Sequence, residues 1–313
     1  MTATETDLAA SDVAWDLEPL VENQGPTGVD EHLVAAEACA ARIEEARGTI
    51  ADLDAAGLAA VMQQVAELQE HLGRAGNYAG LRFTVDTTDA ERGALMQRVE
   101  EQSTAIATRA IFLELEWAAI PDDRAEALLA DPVLDFCSHY LRSARRYRPH
   151  LLTEPEEKIL AEKDVTGSSA WARLFSELTS TITIDLDGTT VGLEQGLSKL
   201  GSPDRAERAA AAAAVTEGLA PGLRTRAFVF NTLLADKATD DRLRSHTSWV
   251  ASRNLANEAS DESVQALVDA VVGRYDIPQR WYALKARLLG LPKLADYDRM
   301  ASVASSDEEF GWS

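Results

Sequence analysis

Arg146-Tyr147-Arg148-Pro149-His150-Leu151-Leu152-Thr153-Glu154-Pro155-Glu156-Glu157-Lys158-Ile159-Leu160 reads as the end of one helix, a break, and the start of another. Arg142, Arg145, Arg146 and Arg148 crowd the carbonyl end of the first helix, where cations complement the dipole, and Pro149 ends it. Thr153 is placed to cap the second helix, with Glu156 closing a capping box and Pro155 tolerated in the first turn. The arginines are expected to pair with nearby acids such as Glu154, Glu156 and Glu157 rather than to clamp a substrate carboxylate. His139 and His150 are eleven positions apart across the break, not four apart on one helical face. They are therefore expected to be hydrogen-bonded structural residues rather than metal ligands.

Upstream of this run the chain is helical. A first helix from about Val29 carries Val34, Ala38, Ala41 and Ala46 near one stripe and ends at Gly48. A second aligns Leu58, Val61, Val65, Leu68, Leu72, Ala75 and Ala79 at spacings of three and four, which puts them on one face. Gly73, Gly76 and Gly80 would mark either a close backbone approach or a hinge, or a helix that ends before them; the plainer expectation is the early end. A third helix, capped by Thr88, has its stripe at Leu95, Val99, Ile106, Ala110, Leu113 and Trp117. Such stripes need each other, and antiparallel packing is the economical arrangement. Trp15 is expected to plug onto the body, and Met1 to Ser11 to form a disordered tail.

Downstream the period changes to two. Ile182, Ile184 and Leu186 alternate with polar residues, Asp187-Gly188 supplies the turn, and Thr189-Thr190-Val191 returns, giving a β-hairpin over about 181–192. Ser202 should cap the next helix with Pro203 at its first position, and the alanine run 209–214 continues it. Phe228, Leu233 and Leu234 extend an apolar pattern to about Asp236, with Asp240 and Asp241 interrupting. His246, Trp249, Arg253 and Asn254 form a pocket candidate, although core packing of Trp249 is the plainer expectation. Ser260 or Asp261 caps a helix with Val264, Leu267, Val268 and Val271 inward. Ile277-Pro278 starts another, which Gly290 stops. Ser306-Asp307-Glu308-Glu309 reads as a further capping box.

The chain has 313 residues with 52 Asp plus Glu against 30 Lys plus Arg, a net charge of −22. Affinity for nucleic acid comes mostly from cationic contacts to phosphate, so no nucleic-acid partner is expected. Cys39 and Cys137 each fall inside a helical apolar pattern and are expected as free buried thiols. The N-terminus lacks the basic and apolar regions of a signal peptide, and no apolar run approaches a membrane span, so a cytoplasmic location is expected and no membrane partner.

Arg146 to Leu160 and Gly167 to Phe175 together resemble the N-terminal region of the oligoendopeptidase F family of zinc metallopeptidases, relatives of thimet oligopeptidase. That family carries an Arg-x-x-Pro-His-x-Leu-x-x-x-Glu-Glu-Lys-Ile-Leu segment leading into Gly-x-x-Ala-Trp-x-x-Leu-Phe. The resemblance extends to Trp15-Asp16-Leu17, to Ser248 to Arg253, and to Tyr282 to Leu291 followed by Tyr297-Asp298, in the family's order.

The resemblance implies the N-terminal part of a channel-type oligopeptidase fold, mainly α, a long-helix bundle with one small hairpin. It implies a tail and docking segment over 1–25, a helical hairpin or bundle over 26–120, the family's N-terminal-type helical domain with the hairpin over 121–200, and the helical start of the peptidase domain over 201–313. It implies a zinc-dependent endopeptidase acting on short unfolded peptides. The family's His-Glu-x-x-His helix does not occur among His32, His71, His139, His150 and His246. No catalytic, cofactor-binding or metal-ligating residue is therefore assigned. The chain alone is expected to be inactive, with a missing C-terminal catalytic segment packing on its end. A non-enzymatic helical scaffold is the alternative; a broad exposed apolar patch around Leu288, Leu291, Phe310 and Trp312 would favour the missing segment.

Overall fold

In the computed structural model, which describes residues 14–303, the chain is mainly helical with one two-stranded antiparallel sheet. It divides into two compact units, Met1–Ser169 and Ala170–Ser313.

The first unit begins with a 3-10 turn, Glu18–Val21, and helix α1, Pro26–Glu44. Val21 is fully buried against the start of α1, and a Cβ on Gly28 would lie 2.3 Å from the Val21 carbonyl oxygen, so only glycine fits there. Trp15 is 82% exposed, which corrects the expected plug; Leu17, Leu20 and Val21 do the docking. The buried stripe of α1 is Val29, His32, Leu33, Ala36, Cys39, Ala40 and Ile43. Val34 is 71% exposed and Ala38 and Ala41 are exposed too, so the expected stripe was misplaced by about one residue, or about 100° of helix. An alanine-rich sequence offers two nearly equal stripes, and the inward His32 and Cys39 break the tie.

Helix α2, Ala55–Val85, has 31 residues and is capped by Asp54, whose carboxylate accepts the Gly57 N–H at 2.8 Å. It buries Leu58, Met62, Leu68, Ala75, Tyr78 and Ala79 and runs straight through Gly73, Gly76 and Gly80. The early end is thereby corrected: the burial of Ala75, Tyr78 and Ala79 between the glycines offsets their poor propensity. Among the described residues no atom beyond the helix's own backbone lies within 4 Å of where their Cβ atoms would sit, so no other described segment approaches these glycines closely. Helix α3, Ala90–Ala107, is capped by Asp89 rather than Thr88, because the Thr88 hydroxyl donates to Asp86. A 3-10 turn at Thr108–Ala110 then separates it from α4, Ile111–Ala119, where one continuous helix was expected.

Pairings fix the directions of this bundle. His32 meets His71, Cys39 meets Glu67 and Arg42 meets Gln64, so α2 runs antiparallel to α1. Asp30 pairs with Arg98, while Glu37 and Glu44 pair with Arg109, so α3 returns in the direction of α1. Helices α5, Asp122–Leu129, and α6, Ser138–Arg146, close the core with Ala125, Leu128, Leu129, Leu134, Cys137 and Leu141. Cys39 and Cys137 are free and buried, and burial raises both thiols above their ordinary value. Helix α7 spans Glu154–Asp164, and α8, Ser168–Ser180, carries the chain into the second unit.

In the second unit strand β1, Thr183–Leu186, pairs with β2, Thr189–Gly192, through Ile184↔Val191 and Asp185↔Thr190. Asp187 and Gly188 have φ of 52° and 81°, as a two-residue hairpin turn requires. Helices α9, Leu193–Lys199, and α10, Arg205–Leu219, receive the hairpin: Ile184 is buried in the space left by Gly196 and Gly218. Asp204, not Ser202, caps α10, and the Ser202 hydroxyl accepts the Asp204 N–H and donates to Glu207. Helix α11, Leu223–Leu243, passes through Asp240 and Asp241 without interruption, because Lys237 and Arg244 pair with them one turn away. Helices α12, Ala251–Ala256, α13, Asp261–Val272, and α14, Asp276–Leu288, follow, the last ended by Gly290 at φ 67°. The Leu291 and Gly290 N–H groups donate to the Ala286 and Arg287 carbonyls, a Schellman stop. The tail Met1 to Ser11, the Ser306 capping box, Phe310 and Trp312 lie outside the described residues.

Candidate functional site

The arginine-rich turn is built from α4, α5 and α6. Trp117 is buried on α4, and its Nε1–H donates to the Leu141 carbonyl at 2.8 Å. One turn beyond Leu141, the Arg145 guanidinium lies over the Trp117 ring, 5.3 Å from its centroid. It donates to the Trp117 carbonyl at 2.7 Å, which also accepts the Ile120 N–H, and to the Ile120 carbonyl at 2.6 Å, satisfying the carbonyl end of α4. The same side chain reaches Asp122 at 2.5 Å, and Arg148 reaches it at 2.9 Å. Asp122 is held below its usual carboxylate value, first by Arg145 and then by Arg148.

Arg142 meets Glu126, so Arg142, Arg145 and Arg148 each have an acidic partner on α5. The acids of α7 are engaged at the helix start. Glu154 binds Arg47 and Lys158, Glu156 accepts the Thr153 N–H and hydroxyl, and Glu157 accepts the Leu152 N–H. The capping box on α7 forms as expected. Beside the turn is an open groove of about 400 Å³, apolar where Leu115, Ala118, Ile120, Pro121 and Leu151 line it, with Asp122 and Arg148 at its rim. His139 is exposed on α6, and His150 is half-buried in the Arg148–His150 turn.

In the second unit the structure reveals a buried ion cluster that sequence reasoning did not assign. Asp298, fully buried, accepts from Arg208 at 2.9 Å, from Arg205 at 3.0 Å, and from the Ala295 N–H at 2.9 Å. Arg205 holds its carboxyl far below the usual range, against the opposing effect of burial. Arg208 also donates to the Ser202 and Pro203 carbonyls, and buried Lys285 donates to the Arg299 carbonyl at 2.6 Å. The Tyr297-Asp298 pair was visible as part of the resemblance. Its partners, about ninety residues upstream, leave no local signal.

The pocket candidate of the second unit is not assembled. Trp249 is 80% exposed and Arg253 exposed, while Asn254 is buried and donates to Asp261. Leu267, Val268 and Val271, expected to face inward, are exposed, as are Val272, Ile277, Trp281, Leu284 and Leu288. Helix α13 buries no residue and α14 only Lys285. Phe228, Phe230 and Leu234 of α11 are exposed as well. Helices carrying this much uncovered apolar surface are a docking face or a hazard.

A family model described as Oligopeptidase F matches residues 116–184, from Trp117's helix to the first strand of the hairpin. The oligopeptidase PepF of Bacillus subtilis (strain 168) is 27% identical over 241 residues. The chain is similar to the oligoendopeptidase F family. The PepF alignment covers 74% of this chain and 36% of PepF. The group B oligopeptidase PepB of Streptococcus agalactiae is 23% identical over 251 residues, covering 78% of the chain and 42% of PepB. The chain therefore spans well under half the length of the curated relatives it matches. In fold it is similar to the crystal structure of oligoendopeptidase-F from Enterococcus faecium, with a TM-score of 0.77 at 22% identity, over 90% of this chain and 57% of that one.

The described residues do not fit a zinc site: no three His, Cys, Asp or Glu side chains converge as a metal-ion set among them. Nor is any helix among them long and apolar enough to cross a membrane.

Proposed function

We propose that this chain is the N-terminal, framework part of a zinc-dependent oligoendopeptidase that hydrolyses short unfolded peptides in the cytoplasm. The similarity to Oligopeptidase F over 116–184 and to PepF supports the peptidase reading. The observation that carries the framework reading is the uncovered apolar surface of α13 and α14 in a chain spanning 36% of PepF. In this proposal residues 201–313 begin the peptidase domain, and a segment supplying the zinc ligands covers α13 and α14. The chain alone lacks a metal set among its described residues, so no step of hydrolysis is derived from them.

The test is hydrolysis of an internally quenched unfolded oligopeptide by residues 1–313 alone and by a chain extended to the length of the relatives. The reading expects no turnover from the first and chelator-sensitive turnover from the second. Turnover by 1–313 alone, or none by the extended chain, would overturn it.

A further inference from the structure

His32 on α1 and His71 on α2 face each other with their Nδ1 atoms 2.9 Å apart, the rings tilted by 45°. His32 is buried and His71 half-buried. The other ring nitrogen of His32, Nε2, lies 3.0 Å from the Leu20 carbonyl oxygen and 3.1 Å from a Glu22 carboxylate oxygen. Both neighbours are acceptors, so that nitrogen carries a hydrogen. A contact of 2.9 Å between two ring nitrogens needs one hydrogen between them, on one ring or the other. The geometry therefore holds at most three hydrogens on four nitrogens: one towards Leu20 and Glu22, one shared, and one on the outer nitrogen of His71. That is a single positive charge for the pair. A fourth hydrogen would set two N–H groups and two cations against each other.

Charged groups face the pair from the elements around it. From the turn before α1 comes Glu22, which also accepts from Arg74 of α2 at 2.8 Å. From α2 itself come Arg74 and Glu70, joined at 2.6 Å; Arg74 first, and the two imidazoles after it, hold the Glu70 carboxyl below its usual value. On α1, Glu31 is held by Gln24 and Asp30 by Arg98 of α3. The Glu18–Val21 turn is thus tied to α2 through His32 and His71, through Glu22 and Arg74, and through Glu18, which accepts from Tyr78 at 2.8 Å.

We propose that the His32–His71 contact is a proton-counting latch: it holds the Glu18–Val21 turn and α1 onto α2 while at most one imidazole is charged, and opens when both are. His71, the more exposed partner, is the one that leaves, and the His32 ring then loses the neighbour that fixes it beneath Leu20 and Glu22. The latch is a property of the first unit and stands apart from the peptidase reading.

The test uses the full chain and follows hydrogen exchange of the Asn23 and Gln24 amides, which donate to the Glu18 and Val21 carbonyls. Protection factors are compared at about pH 7.5 and about pH 5, either side of the range in which free imidazoles take up protons. Wild type is expected to lose roughly fivefold to tenfold protection there on acidification, the worth of about one hydrogen bond, while Trp117 in α4 is unchanged. His71→Gln keeps a neutral group that can accept from or donate to His32 Nδ1, and is expected to remove the acid loss. His71→Lys fixes a cation at the contact and is expected to show the low protection at both pH values. Equal acid loss in wild type and His71→Gln, or no acid loss in wild type, would overturn the proposal. Should His71→Lys fail to fold, the comparison of wild type with His71→Gln still decides.

Discussion

Asp298 and Arg208 meet at 2.9 Å with both side chains withdrawn from solvent, although ninety residues separate them in sequence. This pair ties the Asp296–Asp298 turn to the first turn of α10. Removing one member leaves the other charge buried without its partner. Asp298→Ala should therefore destabilise the second unit by about 3–5 kcal/mol, read as a lower urea midpoint. Because the folded carboxyl lies below its ordinary value of about 3.9, its contribution is present above that pH and is lost only as pH falls towards the folded value. Stability should then be insensitive to this group at about pH 5 and fall in stronger acid. Asp298→Asn should lack that acid-dependent component.

Arg145 offers two donors to the last carbonyls of α4 and stacks on Trp117. Arg145→Ala should cost about 1–3 kcal/mol, chiefly through the buried Ile120 carbonyl left unmade, since the Trp117 carbonyl keeps the Ile120 N–H. Arg145→Lys should recover less than half of that, because an ammonium cannot span both carbonyls and the ring. Asp122→Asn should leave the unfolding midpoint unchanged, since Asp122 is largely exposed. A large effect at Asp122 with a small one at Arg145 would contradict this ordering.

A Cβ on Gly218 would lie 2.5 Å from Ile184 Cγ2 and 3.0 Å from the Thr183 carbonyl oxygen. Gly218→Ala should therefore cost roughly 1–3 kcal/mol by overpacking. At Gly196 the obstacle is the tip of the same isoleucine, its Cδ1 at 2.0 Å, which can turn aside more readily. The Gly196→Ala effect should thus be smaller and should be relieved by Ile184→Val, which removes that tip. Thermal melts of the three variants check the ranking.

Gly73, Gly76 and Gly80 sit in helical backbone with open space where a Cβ would go. Each Gly→Ala change should stabilise the first unit by about 0.5–1 kcal/mol. A loss of stability at any of them would show that something outside the described chain occupies that face.

Legibility in the sequence followed burial. The α2 stripe from Leu58 to Ala79, the Asp187-Gly188 turn, the α7 capping box and the Gly290 stop could be read because each is a local pattern with a local cause. In α1 the pattern failed, since Val34 and Ala38 compete with Leu33 and Ala36 and the deciding inward residue is a histidine. Caps were misplaced by one or two positions at Asp89 and Asp204, where the threonine or serine upstream bonds to a neighbouring acid or amide instead. In α13 the stripe was correctly seen as apolar, yet it faces outward, because periodicity identifies a face and not what covers it. Trp15 and Trp249 show the same limit. The Asp298 cluster and the His32–His71 contact join residues far apart in sequence, and no spacing rule finds them.

The central claim is that α13 and α14 present a face meant to be covered by a further segment of the peptidase. The most direct measurement is hydrogen exchange of Leu267 to Leu288 in residues 1–313 and in a chain extended to the length of the relatives. Strong protection of this stretch in the extended chain, together with chelator-sensitive peptide hydrolysis, is the expected result. Equal protection in both chains would show that the face is not a docking surface and would contradict the account.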